Sequence, residues 1–368
     1  MSNLSTQPAR VRLTEINIVR AIAILAVIMI HATSEGTYVP VAGSSTQRMF
    51  FSLNMFGSFA VPVFIFVSGL VLFYRYDAGW RARDTVEFYK KRIISVVYPY
   101  VLFSLFYDLF YQYLNTRTLS FSLVGFLKLL PLGDAGYHLY FMIIIMQFYV
   151  LFPLLLSAFK AWPLLARAMP AVAVLVQLVY HVATSGIVVP HSATLFITYF
   201  AIFVLGGYVG IHYPAASVWA RRYWGVLLAG ALIAGAAFVG LYWLVYYGKQ
   251  PVAGGWFRLA YNAFALLAAV ALIGCGKRLL ESGGWPVKAL LRLGQVSFGL
   301  YLVHPAVLSA IKAVVDTPGD IAAFRWYIAG YWVTTVAGTW LLVEVYLRLQ
   351  RRWLNRRSRQ GKRQRGEQ

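Results

Sequence analysis

Three stretches of the chain set polar groups with chemical potential inside long apolar runs. The first reads Asn17-Ile-Val-Arg20, then ten uncharged residues, then His31-Ala-Thr-Ser-Glu35. Arg20 and His31 are eleven residues apart. At about 100° per residue that is about 20° past three full turns, so both lie on one helical face, about 16 Å apart along the axis. Arginine suits phosphate because its planar fork donates paired hydrogen bonds; a neutral imidazole can take a proton near neutral pH. Glu35 stands at i+4 from His31 and reaches the imidazole if the helix continues that far. The second stretch is Gly294-Gln-Val-Ser297-Phe-Gly-Leu-Tyr301-Leu-Val-His304-Pro305. Ser297, Tyr301 and His304 share a face at i, i+4 and i+7, and Pro305 loosens the helix just after the histidine. The third, Phe88-Tyr-Lys-Lys-Arg92, opens another apolar run that carries Asp108. Arg92 either marks topology, as Lys90 and Lys91 do, or turns inward toward a phosphorylated ligand, and Asp108 is expected to pair with an arginine. Each stretch has a plainer reading. Arg20 can snorkel to an interface, His31 can be a hydrogen-bonded packing residue, and the 297–304 face can serve helix–helix hydrogen bonding alone.

The elements that must hold these groups are membrane helices. Of the 368 residues, 60% are hydrophobic and 12% charged, and the mean hydropathy is +0.66. Soluble domains carry about 25% charged residues, so this surface is not built for water. Ten runs approach the length of about 20 apolar residues that a span needs: 16–33, 52–74, 93–114, 138–159, 168–184, 193–213, 225–247, 257–274, 293–315 and 326–349. The expected fold is all-α, a polytopic bundle of about ten transmembrane helices. Residues 1–15 form an N-terminal tail, 16–349 the membrane domain, and 350–368 a basic C-terminal tail. The apolar stretch Phe121–Leu132 is too short to span and is expected to lie on the membrane surface. The single cysteine, Cys275, reads as packing.

The net charge of +21 would in a soluble protein suggest nucleic acid. Here the charges sit in short loops, and their sidedness explains them instead, so no nucleic-acid partner is expected. Counted on alternate sides of the ten runs, Lys and Arg split 25 to 6, which by the positive-inside rule puts both termini in the cytoplasm. The basic tail is then attracted to anionic lipid. A cleaved signal peptide over residues 10–34 is a competing reading; Arg20 and His31 interrupt it. The chain has no metal-ligand spacing, no phosphate-binding P-loop and no GxGxxG.

At these segments the chain resembles the acyltransferase 3 family of multi-pass membrane proteins. The similarity rests on Leu13-x-x-Ile16-Asn17-x-x-Arg20 with His31, and on Phe59-Ala-Val-Pro62 through Ser68-Gly69 followed by Phe88–Arg92 and Tyr98-Pro99-Tyr100. It continues in His138-Leu-Tyr140-Phe141-Met and in Ser297-Phe-Gly-Leu-Tyr301-Leu-Val-His304-Pro305. These follow the family's order and cover nearly the whole chain. Two positions depart from its pattern: Ser95 stands where a second arginine is common, and Tyr140-Phe141-Met142 replaces Trp-Phe-Leu. The resemblance implies transfer of a short acyl group, usually acetyl, from acyl-CoA to a hydroxyl of a surface glycan or its lipid-linked precursor, at the cell membrane and with no bound cofactor. In that reading Arg20 and Arg92 bind the donor and His31 is the general base. Glu35 orients His31 as a triad carboxylate would, and Ser297, Tyr301 and His304 stabilise the oxyanion or hold the acceptor. A transporter or flippase for a glycan or small solute, or a sensor or assembly subunit without turnover, would use the same helices and polar faces.

Overall fold

A computed structural model describes residues 11–366, with side chains as far as Asn355. The first ten residues of the expected N-terminal tail and the last two of the C-terminal tail lie outside that range. No strand occurs among the described residues. The helices are α1 (Glu15–Ala32), α2 (Ser45–Gly57), α3 (Ala60–Tyr76), α4 (Asp84–Arg92), α5 (Tyr98–Thr116), α6 (Leu123–Leu129), α7 (Tyr140–Ala161) and α8 (Pro163–Arg167). They continue as α9 (Met169–Ala183), α10 (Phe200–Ile211), α11 (Tyr213–Arg222), α12 (Trp224–Tyr246), α13 (Gly254–Ser282), α14 (Gly284–Gln295), α15 (Ser297–Lys312) and α16 (Ile321–Gly366). Seven helical segments are long and apolar enough to cross a membrane, and up to nine if two bent pairs each count as one span. The chain is a multi-pass membrane protein.

Each expected run lies on helical segments, the second on α2 and α3 in succession, and three others depart from a full-length straight rod. Met169–Ala183 has 15 residues, about 22 Å of helix against a hydrocarbon core of about 30 Å. The sixth run breaks at His212, with α10 and α11 bent by 100°, and the ninth breaks at Val296, with α14 and α15 bent by 81°. The third helix starts earlier than hydropathy suggests. Asp84–Thr116 is continuous, so the basic cluster is helical and Arg92 sits on the same helix as the third span. A π-helical turn at Ile93–Val97 joins α4 to α5. Pro99 has no N–H and its ring crowds the carbonyl four residues back, at Ser95; widening the turn relieves both defects.

The first span is central. α1 packs against α2, α3, α13, α14, α15 and α16, and Ile18, Val19, Ala21, Ala23, Ile24 and Ile28 are fully enclosed. A helix apolar on all faces is what such a position requires. Small residues bring the neighbours close. A Cβ on Gly294 would fall 1.7 Å from Asn17 O, so α14 can lie on the start of α1 only with glycine there. Gly206 and Gly210 seat α10 on the backbone of α3 at Phe66 and Leu70 in the same way, the close approach that small-xxx-small spacing permits. The short helix α6 is capped by Ser122, whose Oγ accepts from Gly125 N–H at 3.2 Å. It buries Phe126 and leaves Leu123, Val124 and Leu127 exposed. At the other end of the chain α16 passes residue 349 without a break.

Candidate active site

The kink in the ninth run shapes the site. α15 opens at Ser297, so the Ser297, Tyr301 and His304 face begins at a helix N-terminus, whose partial positive charge points out along the axis. Ser297 and Phe298 line a cavity of about 300 Å³ together with Arg20, Ser68, Arg92 and Tyr301. Arg20 from the first turns of α1 and Arg92 from the end of α4 thus face the same space. Tyr149 lines it too, and the Arg92 guanidinium lies over its ring at 4.7 Å and over Phe88 at 5.0 Å. Among the described residues no carboxylate pairs with either arginine, and Arg92 Nε is buried without a hydrogen-bond partner. Glu15, the nearest acid along α1, is engaged elsewhere. It accepts from Tyr213 Oη at 2.8 Å and pairs with Lys277 at 3.4 Å. Two cations sharing a cavity without a counter-charge attract an anion by charge-assisted hydrogen bonding.

Tyr301 separates this cavity from a cluster of three histidines. Its ring lies 5.2 Å from that of His138, and His138 in turn lies 5.6 Å from His304. His304 stacks on His31 at 5.3 Å. His31 and His304, brought to one face each by sequence spacing, are therefore adjacent in space. The lining of this cavity does not include His31. Tyr301 stands at its wall, against the histidine rings, so this cavity does not itself form the continuous path from Arg20 to His31 that the donor-to-base distance calls for. His138 and His304 are fully enclosed. His31 is half-buried, 4.7 Å from the exposed ring of Tyr137, and is the member of the cluster that can be met from outside.

Pro305 sets the state of His304. Because Pro305 has no N–H, the carbonyl of Tyr301 lacks its helical donor. His304 Nδ1 lies 2.9 Å from that oxygen. A carbonyl only accepts, so Nδ1 carries the hydrogen and Nε2 of the neutral ring keeps its lone pair. That Nε2 is buried with no partner. One residue on, Tyr107 Oη inserts into the helix: it donates to Leu302 O at 2.7 Å and accepts from Ala306 N–H at 3.3 Å. Tyr301 Oη donates to the carbonyl of His138. Both ring nitrogens of His138 are buried and unpartnered.

Glu35 is not where the helical extrapolation put it. α1 ends at Ala32, the chain tightens into a 3-10 turn at Glu35–Thr37, and Glu35 Oε1 pairs with Lys312 Nζ. The i+4 relation to His31 needs a helix that is no longer present. Glu35 still faces inward, 5% exposed, with Oε2 unpartnered. Asp108 pairs not with an arginine but with Gln112, whose Nε2 donates to it at 3.0 Å. Sequence reasoning gave no role to His138 or Tyr107. His138 stood in plain view as a titratable residue at the edge of an apolar run, whereas Tyr107 had no signal in an aromatic-rich helix. No group of three or more His, Cys, Asp or Glu among the described residues is placed to hold a metal ion.

The fold and site define an integral membrane protein whose helical core holds a cationic cavity against a histidine cluster. A family model described as an acyltransferase domain, acyltransferase 3, matches residues 13–344. The chain belongs to that family and is a membrane acyltransferase. Among curated proteins and among solved structures, nothing matches it.

Proposed function

We propose that the chain moves a short acyl group, acetyl, from acyl-CoA on the cytoplasmic face to a hydroxyl of a cell-surface glycan or its precursor. The observation that carries this reading is the shared cavity of Arg20 and Arg92, two cations without counter-charges whose far wall, Tyr301, touches the histidine cluster. The donor's phosphates bind at the arginines and at the N-terminal turn of α15, and its pantetheine arm points toward Tyr301. Arg20 and His31 stand about 16 Å apart along α1, so the thioester must pass the Tyr301 position, and Tyr301 moves aside when the donor enters.

His31 takes the proton of the acceptor hydroxyl as its oxygen attacks the thioester carbonyl. The tetrahedral intermediate collapses with cleavage of the C–S bond. The CoA sulfur leaves with the electron pair and receives the proton from the imidazolium, which returns His31 to its starting state. His304 fits the acceptor role better than the oxyanion role. Its free Nε2 lone pair can accept from a sugar hydroxyl but cannot donate to an anion. Tyr301 Oη likewise has its proton engaged with the His138 carbonyl. Glu35 acts through Lys312, which ties the turn after His31 to the end of α15, the helix that carries His304.

Mass spectrometry of surface glycans from cells with and without the chain tests the proposal. Ester-linked acetyl groups are expected only when the chain is present. Unchanged acylation with altered glycan export would overturn the proposal in favour of a transporter.

A further inference from the structure

A second cavity, toward the His31 end of the bundle, belongs to neither the arginine cavity nor the histidine cluster. It holds about 510 Å³ and is lined by Thr37, Gln47, Arg48, Phe51, Tyr247 and Lys249, among others. Its lining contains two cations and no carboxylate. Arg48 lies over the rings of Tyr247 at 4.7 Å and Trp243 at 5.6 Å, which fixes its plane, and its Nε is buried with no hydrogen-bond partner. Lys249 is exposed and sits at φ +54°, a left-handed conformation uncommon outside glycine and asparagine. The floor is held rigid by Gln47. Its Oε1 accepts from Gly43 N–H at 3.0 Å and Tyr247 Oη at 2.9 Å, and its Nε2 donates to Thr37 O at 2.9 Å.

The cleft is tied to the catalytic end of α1. Thr37 is six residues past His31. Asn54 of α2 donates to Ile30 O at 2.6 Å, beside His31. Arg48 stands six residues before Asn54 on the same helix, about 9 Å along its axis.

We infer that this cleft binds the acceptor, and that the acceptor is a sugar carrying an anionic group, a phosphate or a carboxylate, which Arg48 and Lys249 hold while Phe51 and Tyr247 pack against the sugar. The inference rests on the acyl-transfer reading for the word acceptor, and on the cleft alone for the anionic sugar. A planar guanidinium with an unused donor, a second cation beside it, aromatic walls and no acidic residue match such a ligand. A neutral sugar would leave the buried Arg48 donor without an anionic partner.

The test is calorimetric titration of the full chain in phosphatidylcholine nanodiscs with glucose 1-phosphate, glucose and inorganic phosphate. Glucose 1-phosphate should bind at least about tenfold more tightly than either of the others, and the double variant Arg48→Gln, Lys249→Asn should lose at least about tenfold of that affinity, the size of one charge-assisted hydrogen bond. Lys249→Asn alone tolerates the left-handed backbone and should lose part of it, so the test survives if Arg48→Gln fails to insert. Glucose binding as tightly as its phosphate, or affinity unchanged in the variants, overturns the inference. So does Arg48-dependent retention of phosphatidylglycerol with no sugar phosphate binding, because the cations would then face lipid headgroups. Acetyl-CoA turnover by the unmodified chain is measured alongside. Its absence with intact sugar phosphate binding would sink the acyl-transfer reading and leave the cleft standing; turnover without such binding would do the reverse.

Discussion

The two ends of α1 solve opposite problems with the same helix. At Arg20 the core is open: two arginines, the first turn of α15 and several hydroxyls surround a cavity with no counter-charge. Eleven residues further on, at His31, the core is closed. Three imidazoles and four tyrosines, Tyr107, Tyr137, Tyr301 and Tyr111, pack ring to ring, and ring nitrogens of His138 and His304 have no partner. Unsatisfied groups at both ends are costly in an apolar core. The open end leaves out an anion that solvent can deliver. The closed end holds imidazole nitrogens that an arm passing Tyr301 from one side, or an acceptor hydroxyl arriving at His31 from the other, would meet. A donor with a phosphorylated head and a long flexible arm, together with a hydroxyl acceptor, would suit the two ends.

Breaking the closed end should have the largest effect. His31→Ala is expected to lower acyl transfer by about 10²–10⁴-fold, the usual worth of a general base, with membrane insertion little changed. His31→Gln should be no better, because an amide cannot take the proton. Activity retained in Gln and lost with protein level in Ala would make His31 a packing residue.

The open end should respond differently. Arg20→Ala is expected to raise the KM for acyl-CoA by about 10-fold or more, the worth of a charge-assisted contact, with Arg20→Lys recovering only part because it lacks the fork. Steady-state kinetics with varied acyl-CoA would show this, and an unchanged KM would leave Arg20 as a snorkelling residue.

The smallest effect is expected at the ion pair that ties the His31 end of α1 to the end of α15. Glu35→Gln and Lys312→Met should each reduce turnover by about 3- to 10-fold, and the double variant should be no worse than either single one, the signature of one shared interaction. A loss at Glu35 alone, approaching that of His31→Ala, would instead favour a direct Glu35–His31 contact.

Much of the fold was legible because hydropathy reports span length directly. Each of the ten runs is helical, and the Arg20 and His31 face needed only the 3.6-residue period. What hydropathy could not show were the departures from a straight rod. The 81° break at Val296 follows a Gly294 that must meet the backbone of α1, and the early start of α4 has a polar composition that a span count discards. The site was half legible for a related reason. Spacing finds partners on one helix, so it paired Arg20 with His31 and Tyr301 with His304. It left the Glu35 contact with His31 conditional on a continued helix, and α1 ends at Ala32. Contacts such as His138 with Tyr301, 163 residues apart, exist only once the bundle is packed.

Sidedness is the most direct test of a core that takes the donor at its Arg20 end and the acceptor at its His31 end. The chain would be reconstituted into vesicles in a known orientation, with labelled acetyl-CoA supplied on one face and a glycan acceptor on the other. Labelled ester should form only when acetyl-CoA is on the face where α1 begins and the glycan on the face where it ends. Transfer that requires both substrates on the same face would contradict the account.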